Sequence, residues 1–151
     1  MSFLSTLNIA GSGMTAQQTR LDVISENIAN MNTTRTEAGG AYRRKIVTMQ
    51  AQDGRNDFRA AMARAQRVSN AGYTTAGGVR VTDITDDQSD LKLVYDPTHP
   101  DANEDGYVEM PNVDMVQEMT DAMAASQAFS ANVTVFNTLK GVIAKGLEIG
   151  R

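Results

Sequence analysis

Apolar residues recur in alternating steps of three and four at both ends of the chain. Leu7, Ala10, Met14, Gln17, Leu21, Ile24, Ile28 and Met31 form one such series. Met115, Met119, Ala122, Ser126, Phe129, Val133, Phe136, Lys140, Ile143 and Leu147 form the other. This step keeps one stripe of a helix facing a partner, as in the seam of a coiled coil. The pattern predicts a helix from residue 2 to about residue 32, capped by Ser2 or Ser5, and a second helix over 112–150, capped by Asn112 or Asp114. Gly11 and Gly13 weaken the first helix by about 1 kcal/mol each relative to alanine. Small and polar residues occupy many seam positions where a self-sufficient coiled coil carries Leu or Ile. Such a seam suits many weak contacts shared among neighbours, or an ordinary two-helix core with small residues.

Between the two ends the period changes. Asn32 to Gly40 is rich in turn residues, and Tyr42 to Gln52 reads as a strand with Tyr42, Arg44, Ile46, Thr48 and Gln50 on one face. Gly78–Thr85, Leu91–Tyr95 and Gly106–Met110 are further strands, spaced for a small antiparallel sheet. Arg55 to Asn70 reads as a short helix or as a polar loop. All three prolines, Pro97, Pro100 and Pro111, precede the last helix and mark a stiff loop. The resulting fold class is mainly α with a small β part. Long N- and C-terminal helices (1–33 and 112–151) pair as a coiled coil around a β-rich middle (34–111), with a variable insert near 54–77.

Composition narrows the function. Of 151 residues, 41% are hydrophobic and 5% aromatic, with no Trp, which favours thin helical pairing over a thick core. The nine methionines suit adaptable, irregular contacts. A net charge of −4 provides no footprint for nucleic acid. The run Arg43, Arg44, Lys45 reads as a solvated strand edge. The absence of cysteine excludes disulfides, thiolate zinc sites and cysteine nucleophiles. The first basic residue is Arg20, and Ser, Thr, Asn and Gly interrupt the apolar start, so a cleavable signal is not expected. No apolar run is long enough to span a membrane.

One segment resembles a metal loop. Asp101 to Val108 places oxygen-bearing side chains at the first, third and fifth positions and glycine at the sixth, as a calcium loop does. The twelfth position is Asn112 rather than glutamate, and a polar turn before a strand needs the same residues. His99, the single histidine, reads as a surface or loop-packing residue, since no convergent partners accompany it. No catalytic motif appears, so neither an enzyme nor a cofactor is expected.

The segment Ser25-Glu26-Asn27-Ile28-Ala29-Asn30-Met31-Asn32-Thr33 resembles the S-x-N-[LI]-A-N-x-x-T signature of the bacterial flagellar rod and hook axial family. Ala131-Asn132 with Val135, Asn137 and Thr138 is similar to the matching C-terminal signature. Tyr95 to Pro100 and Gly106 to Asp114 resemble the proximal rod members of that family. Ile28 stands where leucine is commoner, and Phe129 where tyrosine is frequent. The resemblance implies a non-enzymatic subunit of the basal-body rod that polymerises helically with itself and other rod subunits. It also implies export by the flagellar type III apparatus to the periplasmic rod, without a cleaved signal, and a role in carrying torque. Its ends then order on incorporation. The expected subunit-interface residues are Leu7, Met14, Leu21, Ile24, Asn27, Ile28, Asn30, Met119, Phe129, Asn132, Val133, Phe136 and Ile143. A calcium-responsive module built on residues 101–112, or a different rod or hook-junction subunit, is the competing reading.

Overall fold

The computed structural model describes residues 3–37, 39–52 and 77–149. The segment Arg55 to Asn70, expected as a short helix or a polar loop, lies outside them. The element order is α1 (Phe3–Ala29), β1 (Lys45–Ala51), β2 (Val79–Asp86), β3 (Lys92–Tyr95), β4 (Tyr107–Met110) and α2 (Met115–Ile149). The fold is mainly helical with short antiparallel strand pairs. At about 1.5 Å per residue, α2 runs for about 52 Å and α1 for about 40 Å. No described helix is long and apolar enough to cross a membrane.

Both helix ends obey local chemistry. α1 stops at Asn30, whose side-chain Nδ2 donates to the Glu26 carbonyl at 2.9 Å while its Oδ1 accepts from Thr33 Oγ1 at 3.2 Å. The α2 start is capped by Asp114, whose Oδ1 accepts from the backbone N–H groups of Val116 (2.9 Å) and Gln117 (3.3 Å). Those two bonds hold the Asp114 carboxyl below its ordinary value. A depressed carboxyl pKa favours the fold above the unfolded-state value and ceases to do so as pH falls through the folded-state value. Amide exchange at Val116 and Gln117 should therefore stay slow through the ordinary aspartate range and accelerate only at lower pH. Asp114→Ala should make both amides exchange quickly even at neutral pH.

The four strands form two ribbons rather than the single small sheet expected from their spacing, β1 with β2 and β3 with β4. β3 and β4 pair Lys92 with Met110 through to Tyr95 with Tyr107. Pro97 and Pro111 lie just beyond these strands and lack the N–H that would lengthen the ribbon. The turn between them closes on Gly106, which has φ +81°. A Cβ there would stand 3.0 Å from the Tyr95 ring, so only glycine fits. At the ends of the other ribbon Gln52 N–H donates to the Gly78 carbonyl and Asp87 N–H to the Arg44 carbonyl, so the strands run antiparallel.

The contacts group the chain into two compact units. The first comprises residues 1–18, 49–82 and 127–151. Among the described residues its buried apolar side chains are alanines, Ala10 and Ala16. Gly13 explains itself here, because a Cβ would lie 3.0 Å from Asn132 Nδ2. The glycine that weakens α1 is what lets Asn132 of α2 approach. Ser12 Oγ accepts from Val79 N–H at 3.1 Å and donates to the Ile9 carbonyl at 2.8 Å, tying α1 to β2. Gln17 Oε1 is buried without a hydrogen-bond partner.

The second unit comprises residues 19–48 and 83–126. Val23, Ile24, Ala41, Tyr42, Val108, Val113 and Ala125 are buried in it. Its largest fully buried side chains are Glu118, Asn27 and Pro111, so its centre is polar.

Two sequence expectations need correcting. Ile46, Thr48 and Gln50 share the exposed face of β1, but Tyr42 and Arg44, expected on the same face, are buried and half-buried. The strand begins only at Lys45, so alternation counted from Tyr42 starts on backbone that is not yet in the ladder. The inward stripe of α2 begins with Glu118, Ala122 and Ala125, and Met115 and Met119 face outward. Glu118 turns inward because its carboxylate has buried partners.

Candidate functional site

Four short segments converge on the polar centre of the second unit. Asn27, on the last turn of α1, uses its whole hydrogen-bonding capacity. Its Oδ1 accepts from Tyr42 OH (2.9 Å) and from Lys45 N–H (2.9 Å). Its Nδ2 donates to the Lys45 carbonyl (3.0 Å) and to Glu118 Oε2 (3.2 Å). A primary amide offers two donor and two acceptor sites, so none is left over. The side chain thus pairs with both backbone groups of Lys45 as a neighbouring strand would.

Glu118, 0% exposed, accepts from Arg44 Nε through its other oxygen at 2.5 Å. Arg44 also faces Asp121 (3.5 Å) and Asp87 (3.9 Å), and Arg20 meets Asp121 at 3.0 Å. Lys45 pairs with Glu26. Asn112 holds one backbone group of Arg44: its Oδ1 accepts from Arg44 N–H at 2.8 Å, and its Nδ2 donates to Ser89 Oγ at 2.8 Å. Arg43 donates to the carbonyls of Asp87 and Ser89. The basic run is therefore not the solvated edge expected from sequence. Each of its three side chains has a partner: Arg44 and Lys45 meet acids from α1, α2 and the β2–β3 loop, and Arg43 meets backbone carbonyls of that loop.

Burial, with Glu26, Asp86 and Glu118 nearby, pushes the Tyr42 hydroxyl from 10.0 up to about 12. Between those values the unfolded chain loses this proton and the folded chain keeps it. Stability is thus fully present below about pH 10 and falls as pH rises toward 12. In an alkaline titration followed by tyrosinate absorbance, one of the four tyrosines should ionise late, together with loss of helical circular dichroism. Tyr42→Phe should remove that step.

The loop that resembled a calcium site is occupied with its own turn. Asn103 Oδ1 accepts from Asp105 N–H (3.1 Å) and Tyr107 N–H (2.8 Å). Asp101 accepts from Thr34 Oγ1 at 2.8 Å, and Asn112 is bound to Arg44 and Ser89. The side chains that would coordinate calcium point at different partners. Among the described residues no cluster of His, Asp or Glu could hold a metal. His99 packs in its loop, its Nδ1 accepting from Asp101 N–H at 3.1 Å.

Through Glu118 and Arg44 this polar centre joins Asn27 of the N-terminal signature to Asn112 of the Gly106–Asp114 segment, and comparison with known proteins agrees with that resemblance. Residues 7–35 match the family model described as flagella basal body rod protein, and residues 104–149 match flagellar basal body rod FlgEFG protein C-terminal. The chain is 44% identical over 155 residues to the flagellar basal-body rod protein FlgC of Bacillus subtilis, covering all of both chains. It is 42% identical to the FlgC of Borreliella burgdorferi, over 99% of this chain and 98% of that one. It is 40% identical to that of Escherichia coli O6:H1, over the whole of both. The chain belongs to the FlgC family of flagellar basal-body rod proteins.

Within this FlgC-family chain the expected interface residues fall into three groups. Ile24 and Asn27 are buried, and Asn27 is bound wholly within its own unit. Leu7, Met14, Leu21, Ile28, Asn30, Phe129, Asn132, Val133, Phe136 and Ile143 are half-buried. Met119 is exposed. Arg44, Glu118 and Asn112, which hold the polar centre together with Asn27, were missed as a set. The available signal was a glutamate in the first turn of α2 with three consecutive basic residues elsewhere in a chain of low aromatic content.

Proposed function

We propose that this FlgC-family chain is a structural subunit of the proximal rod of the bacterial flagellar basal body, assembling with other rod components and with copies of itself. The reading holds that α1 and α2 form a coiled-coil core. Their uncovered faces pack on equivalent helices of neighbours, and head-to-tail repetition of that contact builds a helical array. Torque then passes through many such contacts toward hook and filament, so no residue is catalytic. The chain reaches the periplasmic rod through the flagellar type III export apparatus without losing a signal, and its helix faces become fully ordered as neighbours cover them.

The observation that carries this is the apolar exposure along α2. Val116, Met119, Met123, Val135, Val142 and Leu147 all stand open to solvent. Isolated exposed apolar residues are normal, but a helix that keeps them from its first turn to its last has surface left for partners. The half-buried Phe129, Val133, Phe136 and Ile143 continue the same supply.

Cryo-electron microscopy of purified basal bodies tests the proposal. Density for this chain in the shaft, with α2 against neighbouring subunits, is the expected result. Basal bodies that contain no copy of it, or in which α2 faces solvent, would overturn the reading.

A further inference from the structure

Three thioethers share one open face of α2. Met115, Met119 and Met123 are 41%, 49% and 66% exposed. Their four-residue spacing places them within about 80° of the helix circumference. All three belong to the second unit. Met14, Met31, Met49 and Met110 are half-buried. The chain has no cysteine, so its sulfur chemistry is that of methionine alone.

We propose that Met115, Met119 and Met123 form an oxidation site, at which peroxide converts the thioethers to sulfoxides before those of the half-buried methionines. A sulfur lone pair attacks one oxygen of hydrogen peroxide and the O–O bond breaks. The sulfur is oxidised by two electrons to the sulfoxide. The departing hydroxide takes up the remaining proton and leaves as water. Each conversion replaces a flexible apolar tip with a strongly polar one, which disfavours its burial against another surface. Three on one stripe change the character of that face from apolar to polar without touching Glu118 or Ala125 on the inner side. The consequence for assembly rests on the reading above, in which the uncovered faces of α2 meet neighbouring subunits: a chain oxidised here is excluded, and a chain already incorporated is shielded.

Site-resolved mass spectrometry tests this on the purified full chain. With hydrogen peroxide at neutral pH, Met115, Met119 and Met123 should oxidise in the folded chain within about twofold of their rate in urea, while Met14, Met31, Met49 and Met110 slow by about fivefold or more. Equal protection of all seven, or faster reaction at the half-buried ones, would overturn the site. The same treatment of isolated basal bodies tests the consequence. At least about tenfold protection of the three supports it. Oxidation there at the free-chain rate defeats the consequence while leaving the rod assignment standing. Basal bodies lacking the chain would defeat the rod assignment, whatever the outcome for the purified protein. In cells, M123Q imitates the sulfoxide and M123L keeps the thioether's shape. The leucine variant should incorporate at least about five times better, and equal incorporation counts against the exclusion step.

Discussion

Glu118→Leu is expected to lower the free energy of unfolding by about 3 kcal/mol, at the lower end of the cost of removing one member of a buried ion pair. Glu118 is wholly buried, and its two oxygens satisfy Arg44 Nε and Asn27 Nδ2. Without the carboxylate, Arg44 keeps Asp121 and Asp87 at 3.5 Å and 3.9 Å, which softens the loss. Asn27 keeps Lys45 and Tyr42, so one of its donor bonds is lost. The informative comparison is the double variant Arg44→Met with Glu118→Leu. Removing both charges leaves no buried guanidinium short of its partner, so the pair should cost less than the single change. Urea unfolding at neutral pH, read by circular dichroism, measures both. A single variant within about 1 kcal/mol of the parent, or a double variant less stable than the single, would show that the buried carboxylate is not what holds this unit together.

The larger biological effect is expected at Phe136. Phe136→Asp should leave the chain expressed and helical yet abolish swimming in a strain carrying it as the only copy. In the free chain Phe136 is half-buried, so an aspartate there can still reach water. Under the proposed packing the position is covered in the shaft, where an unpaired carboxylate taken from water would cost several kcal/mol. That penalty repeats at every copy. Ile28→Asp, also half-buried, should behave in the same way. Swimming rings of normal diameter in soft agar from either strain would count strongly against helix-mediated assembly.

The long elements were legible because their signals are local. The three-four spacing located α1 and α2, and the prolines around 97–111 fixed where α2 could begin. Turn residues bounded the four strands to within a few positions. The Asp101 to Gly106 segment was legible as a turn, since Asn103 and Gly106 do what their side chains favour. The polar centre was not legible, for a physical reason. Asn27 and Glu118 lie 91 positions apart, and Arg44 and Glu118 lie 74 apart. Each alone looks like an exposed polar residue, and only the fold makes them partners. The same blindness explains Met119: period alone placed it inward, but Glu118, one residue away, had the stronger claim on the interior.

The grip of Asn27 on Lys45 has one more effect. By occupying both backbone groups of that residue, the amide plugs the place where a foreign extended chain would begin to zip onto β1. A second copy pairing at that residue would first have to displace both of these bonds.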